Sequence, residues 1–264
     1  MNLNLQDKHI LITGGSKGIG LACAVAFLQE GAHVTLVARN ADTLASAQQT
    51  LRAGAPAGGK VHTVVADLTD AAAAITALAQ AQALGGPVDV LVNSAGAAKR
   101  TPAPELTAQA WQDAMQSKFF SYIHMIDPTI KAMAARGQGA IVNVVGNGGK
   151  VASPIHLPGG AANAALMLAT AGLANAYAGQ GIRVNAVNPG STLTERLDQA
   201  IAADAKNNGI TAQVALARIT EKLPLGRIAR PEEVAQAVVF LASSQASYIT
   251  GANIPMDGAL VPWI

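Results

Sequence analysis

One stretch decides the fold: Thr13-Gly14-Gly15-Ser16-Lys17-Gly18-Ile19-Gly20. The short apolar run His9 to Ile12 precedes it, and an apolar helical pattern follows it through Glu30. Glycines permit a tight turn, while the free amides and the dipole at the start of a helix favour a pyrophosphate. A turn that only packs a helix against a strand is the alternative, but the strand before and the helix after favour dinucleotide binding.

Short β-branched or aliphatic runs alternate with longer alanine-rich stretches along the rest of the chain. The runs are His33 to Val37, Val61 to Ala66, Val88 to Val92, Ala140 to Val144 and Arg183 to Val187, and Asn253 to Met256 could add an edge strand. Each is too short for a helix, so the alternation predicts βαβ units. The predicted fold is α/β: a single-domain, Rossmann-like, doubly wound parallel sheet with helices on both faces, spanning residues 1–264.

Composition excludes several classes of protein. Of the 264 residues 50% are apolar and 13% are charged, which permits a large core and rules out intrinsic disorder. The net charge of +2 comes from scattered basic residues, and only 2 Trp, 3 Tyr and 4 Phe are present, so nucleic acid is not an expected partner. The single cysteine, Cys23, cannot form an internal disulfide, and no metal site is predicted.

Two segments bear on localisation and assembly. Met1 to Lys8 lacks a basic region followed by a long apolar stretch, so we expect no signal peptide and a cytoplasmic protein. The segment Ala161 to Ala178 is uncharged over a nearly membrane-spanning length, but polar or small residues interrupt it at Asn163, Thr170, Gly172 and Asn175. It therefore predicts a helix buried in protein, without membrane association. Its second apolar face predicts a homo-oligomer, most simply a tetramer.

The glycine turn and several later motifs resemble the short-chain dehydrogenase/reductase family over nearly the whole chain. Asp67-Leu68 is similar to the family's adenine-contacting pair, and Asn93-Ser94-Ala95-Gly96 is similar to its Asn-Asn-Ala-Gly turn. Arg183-Val184-Asn185, with the segment from Asn188 to Thr194, resembles the part that holds the nicotinamide end. Four segments near the end of this chain resemble the family's carboxyl-terminal pattern. They are Pro224-Leu225-Gly226-Arg227, Pro231-Glu232-Glu233-Val234, Phe240-Leu241-Ala242-Ser243 and Thr250-Gly251 through Asp257-Gly258. Each motif is weak alone, and together they are specific.

This resemblance implies a nicotinamide cofactor and a small carbonyl or alcohol substrate. The cofactor contacts that it implies are Gly14, Ser16, Lys17, Gly18, Ile19, Gly20, Arg39, Asn40, Asp67, Leu68, Asn93, Ala95, Gly96, Asn163, Pro189, Gly190, Thr192 and Thr194.

The residues after the second strand bear on the choice of cofactor. A carboxylate there would accept a hydrogen bond from the ribose 2′-hydroxyl, whereas this chain has Ala38-Arg39-Asn40. Arg39 and Lys17 can both pair with a 2′-phosphate. The alternative is that both are solvated surface cations. The pair favours NADP(H) over NAD(H).

The family's catalytic pattern is not matched. The family uses a serine, a Tyr-x-x-x-Lys thirteen residues later, and an asparagine on an earlier helix. The resemblance places Gly146, Gly159, Asn163 and Lys118 at the serine, tyrosine, lysine and asparagine positions. The tyrosine normally exchanges a proton with the substrate oxygen while the lysine lowers its pKa. Glycine has no proton to give, so we expect little turnover of generic ketones or alcohols.

Candidate replacements lie near the same cleft: His156, Lys118, Lys150 and Asn147, with Asn163 able to bind a ribose hydroxyl. An ordinary histidine pKa near 6.5 suits proton transfer, and His156 comes three residues before the tyrosine position. The alternative is a loop histidine without a role, because a single histidine is weak evidence for catalysis. Lys118 could face the cleft or extend to solvent, and Lys150 could orient an anionic substrate or be solvated.

The sequence thus favours an NADP(H)-binding oxidoreductase of the short-chain dehydrogenase type that acts on an unknown small carbonyl or alcohol by an atypical proton relay. Two alternatives stay open because the usual catalytic residues are replaced. One is a catalytically degenerate cofactor-binding or regulatory subunit. The other is a non-redox lyase or hydrolase that reuses the cleft.

Overall fold

The computed structural model describes residues 2–54, 59–96 and 98–262, and its centre is a parallel sheet of seven strands. The strands are β1 (His9–Thr13), β2 (His33–Ala38), β3 (Val61–Val65), β4 (Val90–Asn93), β5 (Gly139–Val144), β6 (Ile182–Pro189) and β7 (Asn253–Met256). Their order is β3-β2-β1-β4-β5-β6-β7. Every predicted run forms a strand, including the edge strand, so the α/β prediction is confirmed.

Nine α-helices lie in the described part of the chain. They are α1 (Gly18–Gln29), α2 (Ala41–Gly54), α3 (Ala71–Gly85), α4 (Ala108–Ala114), α5 (Ser121–Ala134), α6 (Leu157–Tyr177), α7 (Glu195–Asn208), α8 (Ala212–Thr220) and α9 (Pro231–Ala242). A π-helical segment, Met115–Phe120, joins α4 to α5. π-helical turns are rare and occur frequently at functional sites.

The helices cover both faces of the sheet, which is why the strands are continuous apolar runs. On one face, Phe27 of α1 and Val238 of α9 pack in the same cluster as Ile10 of β1. On the other, Tyr122 of α5 and Leu166 of α6 pack in the same cluster as Leu91 of β4. Burial of such a side chain contributes about 1.5–3 kcal/mol, so the two clusters hold the layers together.

Helix α6 is the uncharged segment considered above as a membrane span. With the turn that follows it, residues 157–180 are long and apolar enough to cross a membrane by length and composition. However, α6 packs against β6 and β7, and Leu166 and Ala162 are fully buried within the protein. Core helices of soluble proteins have the same composition, and this packing agrees with a helix buried in protein.

Candidate active site

The glycine-rich turn lies at the carboxyl end of β1, where the strand order changes direction between β1 and β4. Ligands bind at such points in open α/β sheets. Gly14 has a φ of +65°, and a β-carbon on Gly20 would overlap the Gly14 carbonyl. Lys17 precedes α1 without a side-chain capping bond, and the first turn of α1 has no acid. The first amides of α1 are therefore free of side-chain acceptors and can receive a phosphate.

A buried chain of hydrogen bonds connects this turn to α6. The Thr13 hydroxyl lies 3.3 Å from Asn93 Oδ1, Asn93 Nδ2 donates to Asn143 Oδ1 at 3.0 Å, and Asn143 Nδ2 donates to Thr170 Oγ1 at 3.0 Å. The Thr13 hydroxyl also accepts from the amide of Ala95. The Asn93 side chain is fully buried and occupied by these partners, so it supports the turn and leaves ligand contact to its neighbours.

The predicted adenine end is built from the loops after β2 and β3. Arg39 is exposed, and its charge helps to lower the pKa of Asp67, although the largest cause is the backbone amide of Thr69. The Asp67 carboxylate is exposed, whereas Leu68 is buried beneath it. Arg39 thus lies on the side of the cleft expected for the adenosine.

Two other predicted residues of this end have partners within the protein. The Asn40 side chain accepts from the amide of Thr43 at 2.8 Å and so stabilises the start of α2. Lys17 Nζ lies 2.9 Å from Glu195 Oε2, and both side chains are exposed. A 2′-phosphate would compete with Glu195 for Lys17, and exposed pairs of this kind are weak.

The segment after β6 returns to the glycine turn. Thr192 is buried and forms a bridge with Ala229, and a β-carbon on Gly18 would lie 3.3 Å from Thr194 Cγ2. A β-carbon on Gly190 would lie 3.0 Å from the Asp257 side chain. The predicted nicotinamide-holding residues from Pro189 to Thr194 therefore lie beside the turn that they were predicted to complete.

The predicted catalytic positions come together at the start of α6. Gly146 has a φ of +118°, and a β-carbon there would lie 3.3 Å from Asn163 Nδ2. Asn163 is only 6% exposed, and its Oδ1 atom is without a partner in the described part of the chain. An amide with an unused acceptor at this place can bind a hydroxyl group of a ligand.

The imidazole of His156 fills the space beside Gly159. A β-carbon on Gly159 would overlap this ring, with Nε2 only 2.5 Å away, and would lie 2.8 Å from Ala98 Cβ. His156 precedes the first turn of α6, and its Nδ1 atom is buried without a partner among the described residues. Burial lowers the pKa of His156 most strongly, and the charges of Arg100, Lys118 and Arg196 lower it further. Both effects favour the neutral form of the ring.

Lys118 is a buried lysine, which excludes the surface alternative considered from the sequence. It lies in the π-helical segment with a side chain 8% exposed. Its Nζ atom donates to Tyr122 Oη at 3.0 Å and to the Val144 carbonyl at 3.2 Å, while Tyr122 Oη donates to the same carbonyl. Burial, with a smaller contribution from Arg196, lowers the pKa of Lys118 to about 7. The amine therefore exchanges protons at neutral pH.

Two arginines belong to this site that the sequence did not reveal. A terminal nitrogen of Arg196, in the first turn of α7, lies 3.5 Å from the Gly96 carbonyl. Arg100 comes just before Thr101, whose amide donates to the Ile155 carbonyl beside His156. The only available signal was the position of Arg196 two residues after Thr194. Lys150 is exposed at the end of the Asn147–Gly149 turn.

This geometry can be compared with known proteins. A family model described as enoyl-(acyl carrier protein) reductase matches residues 14–260. Gluconate 5-dehydrogenase of Gluconobacter oxydans is 32% identical over 257 residues, which cover 97% of this chain and 96% of that protein. The chain belongs to the short-chain dehydrogenase/reductase family.

Solved structures of short-chain dehydrogenases/reductases are similar over the full length. L-sorbose reductase from Gluconobacter frateurii, in complex with NADPH and L-sorbose, superposes with a TM-score of 0.94 and 31% identity, and 100% of each chain is covered. An NADPH-bound short-chain oxidoreductase from Pseudomonas aeruginosa PAO1 has a TM-score of 0.88 and 32% identity over 98% of each chain. That protein is described as containing an atypical catalytic centre. This chain is thus an oxidoreductase of the short-chain dehydrogenase type by family.

Proposed function

We propose that this protein is an NADP(H)-dependent oxidoreductase that interconverts a small carbonyl compound and its alcohol, with His156 exchanging the proton. The observation that carries the proposal is the place of the imidazole, which fills the space that a side chain on Gly159 would occupy. The family resemblance assigns Gly159 to the tyrosine position. In this proposal the imidazole of His156, three residues earlier in the sequence, replaces the tyrosine as the acid. The domain that performs this reaction spans residues 1–264.

The cofactor site fits NADP(H). The first amides of α1 suit the pyrophosphate, and Arg39 suits the 2′-phosphate. The unused acceptor Asn163 Oδ1 and the nearby Nδ2 suit the hydroxyl groups of the nicotinamide ribose. NADPH is also present in the two structures described above, which supports this choice. When bound, NADPH supplies the hydride for reduction.

The residues of this chain supply the proton. Protonated His156 donates through a ring nitrogen to the substrate oxygen as the carbonyl carbon is reduced, and the neutral ring accepts that proton in the reverse direction. Burial makes the imidazolium a stronger acid than ordinary histidine, and the neighbouring charges add to this effect because they oppose its positive charge. Lys118 and Arg196 contribute to that field, and Lys118 itself can exchange protons near pH 7.

Redox chemistry is better supported than the alternatives. The relatives described above are a dehydrogenase, a reductase and an oxidoreductase. The glycine-rich turn of this chain and the buried hydrogen bonds beside it suit the dinucleotide that such chemistry needs. A regulatory subunit or a non-redox lyase would not need a hydride-transfer cleft of this form. We therefore favour turnover over a degenerate site.

We also propose that the protein acts as a homotetramer in the cytoplasm. Leu168 of α6 is 77% exposed in the single chain, next to small residues that allow close helix approach. An exposed apolar helix face of this kind usually marks an interface with another copy or partner.

Steady-state kinetics of His156→Gln test the proton donor. We expect kcat for carbonyl reduction to fall about 100-fold or more, because a missing general acid costs about 10²- to 10⁴-fold. The NADPH dissociation constant, measured by fluorescence titration, should stay within about twofold of the wild-type value. A variant that retains wild-type kcat would show that His156 is not the donor.

Gly159→Ala gives an independent test. The added methyl group would displace the His156 ring, whereas in Gly172→Ala, on the same helix, the new β-carbon meets no atom within 4 Å. We expect kcat to fall in Gly159→Ala and to be unchanged in Gly172→Ala, which serves as the matched control. Equal activity of the two variants would contradict the proposed place of the imidazole.

A further inference from the structure

Four basic side chains from four different elements converge on the cleft where the carbonyl must bind. Thr101 N donates to Ile155 O at 3.0 Å, which brings Arg100 beside His156. Arg196 lies 3.5 Å from the Gly96 carbonyl, and a β-carbon on Gly96 would lie 3.3 Å from Lys118 Cα. Arg100, Arg196 and Lys118 therefore lie near His156, and the charge of each acts on the imidazole.

This concentration of positive charge is not neutralised within the described part of the chain. None of its ion pairs includes Arg100, Arg196 or Lys118, and Glu195, the neighbour of Arg196, is paired with Lys17. The charges that act on His156 are all positive. Arg100 and Arg196 are exposed and have no ion-pair partner among the described residues, so both guanidinium groups are available to a ligand of negative charge.

We infer that the substrate is an oxo acid, whose carboxylate binds Arg100 and Arg196 and whose carbonyl oxygen lies at His156. This inference rests on the proposed function and names its substrate class. A guanidinium binds a carboxylate through two parallel hydrogen bonds, which fixes orientation as well as adding affinity. A carboxylate one or two carbons from the carbonyl can reach an arginine while the carbonyl oxygen contacts the imidazole.

Binding of the substrate carboxylate also favours the protonated form of His156, which is the form that donates the proton. A negative charge near His156 counteracts the surrounding cations and raises its pKa, so the imidazole gains a proton when the substrate binds. In the reduction, a hydride forms a C–H bond at the carbonyl carbon, the C=O π electrons move to oxygen, and oxygen takes the proton from His156. The products are a hydroxy acid and the oxidised cofactor, and the neutral imidazole regains a proton from solvent.

Matched substrate pairs test the inference through kinetics. The pairs are pyruvate with methyl pyruvate and acetoacetate with methyl acetoacetate, which differ in charge beside the same carbonyl. In at least one pair, we expect kcat/KM to be at least about tenfold higher for the acid than for its ester. Arg100→Met and Arg196→Met should each reduce this acid-to-ester ratio of kcat/KM about tenfold. Arg218→Met is the matched control, since Arg218 is an exposed arginine on α8, and its ratio should be unchanged. Preference for both esters in the wild-type protein would overturn the inference while leaving carbonyl reduction established.

A binding experiment separates this inference from the proposed function. The imidazole NMR signal of His156, assigned by its loss in His156→Gln, is titrated with pH in the presence of malonate or uncharged malonamide. We expect malonate to raise the pKa of His156 by about one unit and malonamide to leave it unchanged. An unchanged pKa with malonate would overturn the inference. A malonate-induced rise in a protein that reduces no carbonyl compound would support anion binding and refute the proposed reaction.

The cofactor offers a competing explanation for Arg196, which is adjacent to the glycine turn through Glu195. NADPH affinity of Arg196→Met decides between the two. Unchanged NADPH binding with loss of the acid preference supports the inference. Weakened NADPH binding with an unchanged acid-to-ester ratio would assign Arg196 to the cofactor and overturn it.

Discussion

Replacing Lys118 with methionine should make the protein more stable at neutral pH. Methionine keeps most of the aliphatic chain that fills the buried site but has no charge. In the folded protein the pKa of Lys118 is about 7, against 10.5 for a solvated lysine. At 1.36 kcal/mol per pKa unit, the buried amine costs about 4 kcal/mol of folding free energy at pH 7.

Part of this gain is offset by lost hydrogen bonds. Lys118→Met removes the bonds to Tyr122 Oη and the Val144 carbonyl, at about 0.5–1.5 kcal/mol each. The Val144 carbonyl keeps its bond from Tyr122, so it stays satisfied. We expect a net increase of about 1–3 kcal/mol in the free energy of unfolding at pH 7.

The pH dependence has a definite sign. Between pH 7 and 10.5 the unfolded chain keeps the Lys118 proton and the folded protein releases it, so the wild-type protein gains stability as pH rises. The variant lacks this dependence, and other titrating groups cancel in the comparison. The advantage of Lys118→Met should therefore shrink by about 2 kcal/mol between pH 7 and pH 9.

Urea unfolding of both proteins at pH 7, 8 and 9 measures these differences. Lys131→Met is the matched control, because Lys131 is an exposed lysine on α5 paired with Asp127, and its removal should change stability little at any of these pH values. A variant less stable than wild type at pH 7, or a difference independent of pH, would refute the reasoning.

Three further predictions concern other parts of the molecule. Arg39→Ala should weaken NADPH binding about tenfold in a fluorescence titration and leave NADH binding unchanged, and equal losses for both cofactors would contradict the assignment of Arg39. Leu168→Glu should dissociate the assembly in light scattering, whereas a wild-type mass near the 26.7 kDa of one chain would contradict the tetramer. Asn143→Ala removes the acceptor of the buried Asn93 amide and should lower the free energy of unfolding, measured in urea, by about 2–4 kcal/mol. A loss below about 1 kcal/mol would show that the buried hydrogen bonds from Thr13 to Thr170 contribute little to stability.

The sheet and the cofactor turn were predictable because their signals are local. A parallel strand buried on both faces is a short, largely apolar run, and His33 to Val37 is such a run, with three aliphatic residues among its five. The turn needs glycine where φ is positive, as at Gly14 and Gly18. Both requirements act on neighbouring residues, so they can be recognised without the folded chain.

The catalytic end depends on contacts between distant residues, and the sequence predicted it only in part. The pattern indicated His156 and Lys118 as candidates, but not that the ring of His156 covers Gly159 or that Lys118 is buried. Lys118 is buried where the π-helical segment packs against α6, and its Nζ atom reaches the carbonyl of Val144 at the end of β5. Arg196 was missed because its approach to Gly96 depends on how α7 crosses the cleft, which no local pattern records.

The π-helical segment Met115–Phe120 contains one residue more than regular α-helical winding would need, and this extra residue sets the position of Lys118. A π turn holds about one residue more than an α turn, so deleting one position between 115 and 120 would restore regular winding. The chain on one side would then rotate by about 100° about the helix axis. Since α5 is held by Met125, Ile126 and Ile130 in the core, whereas α4 buries only Ala114, the rotation would fall on α4 and the segment itself. Deletion of a single residue can thus change the direction in which Lys118 projects from the helix axis, without any substitution in the core.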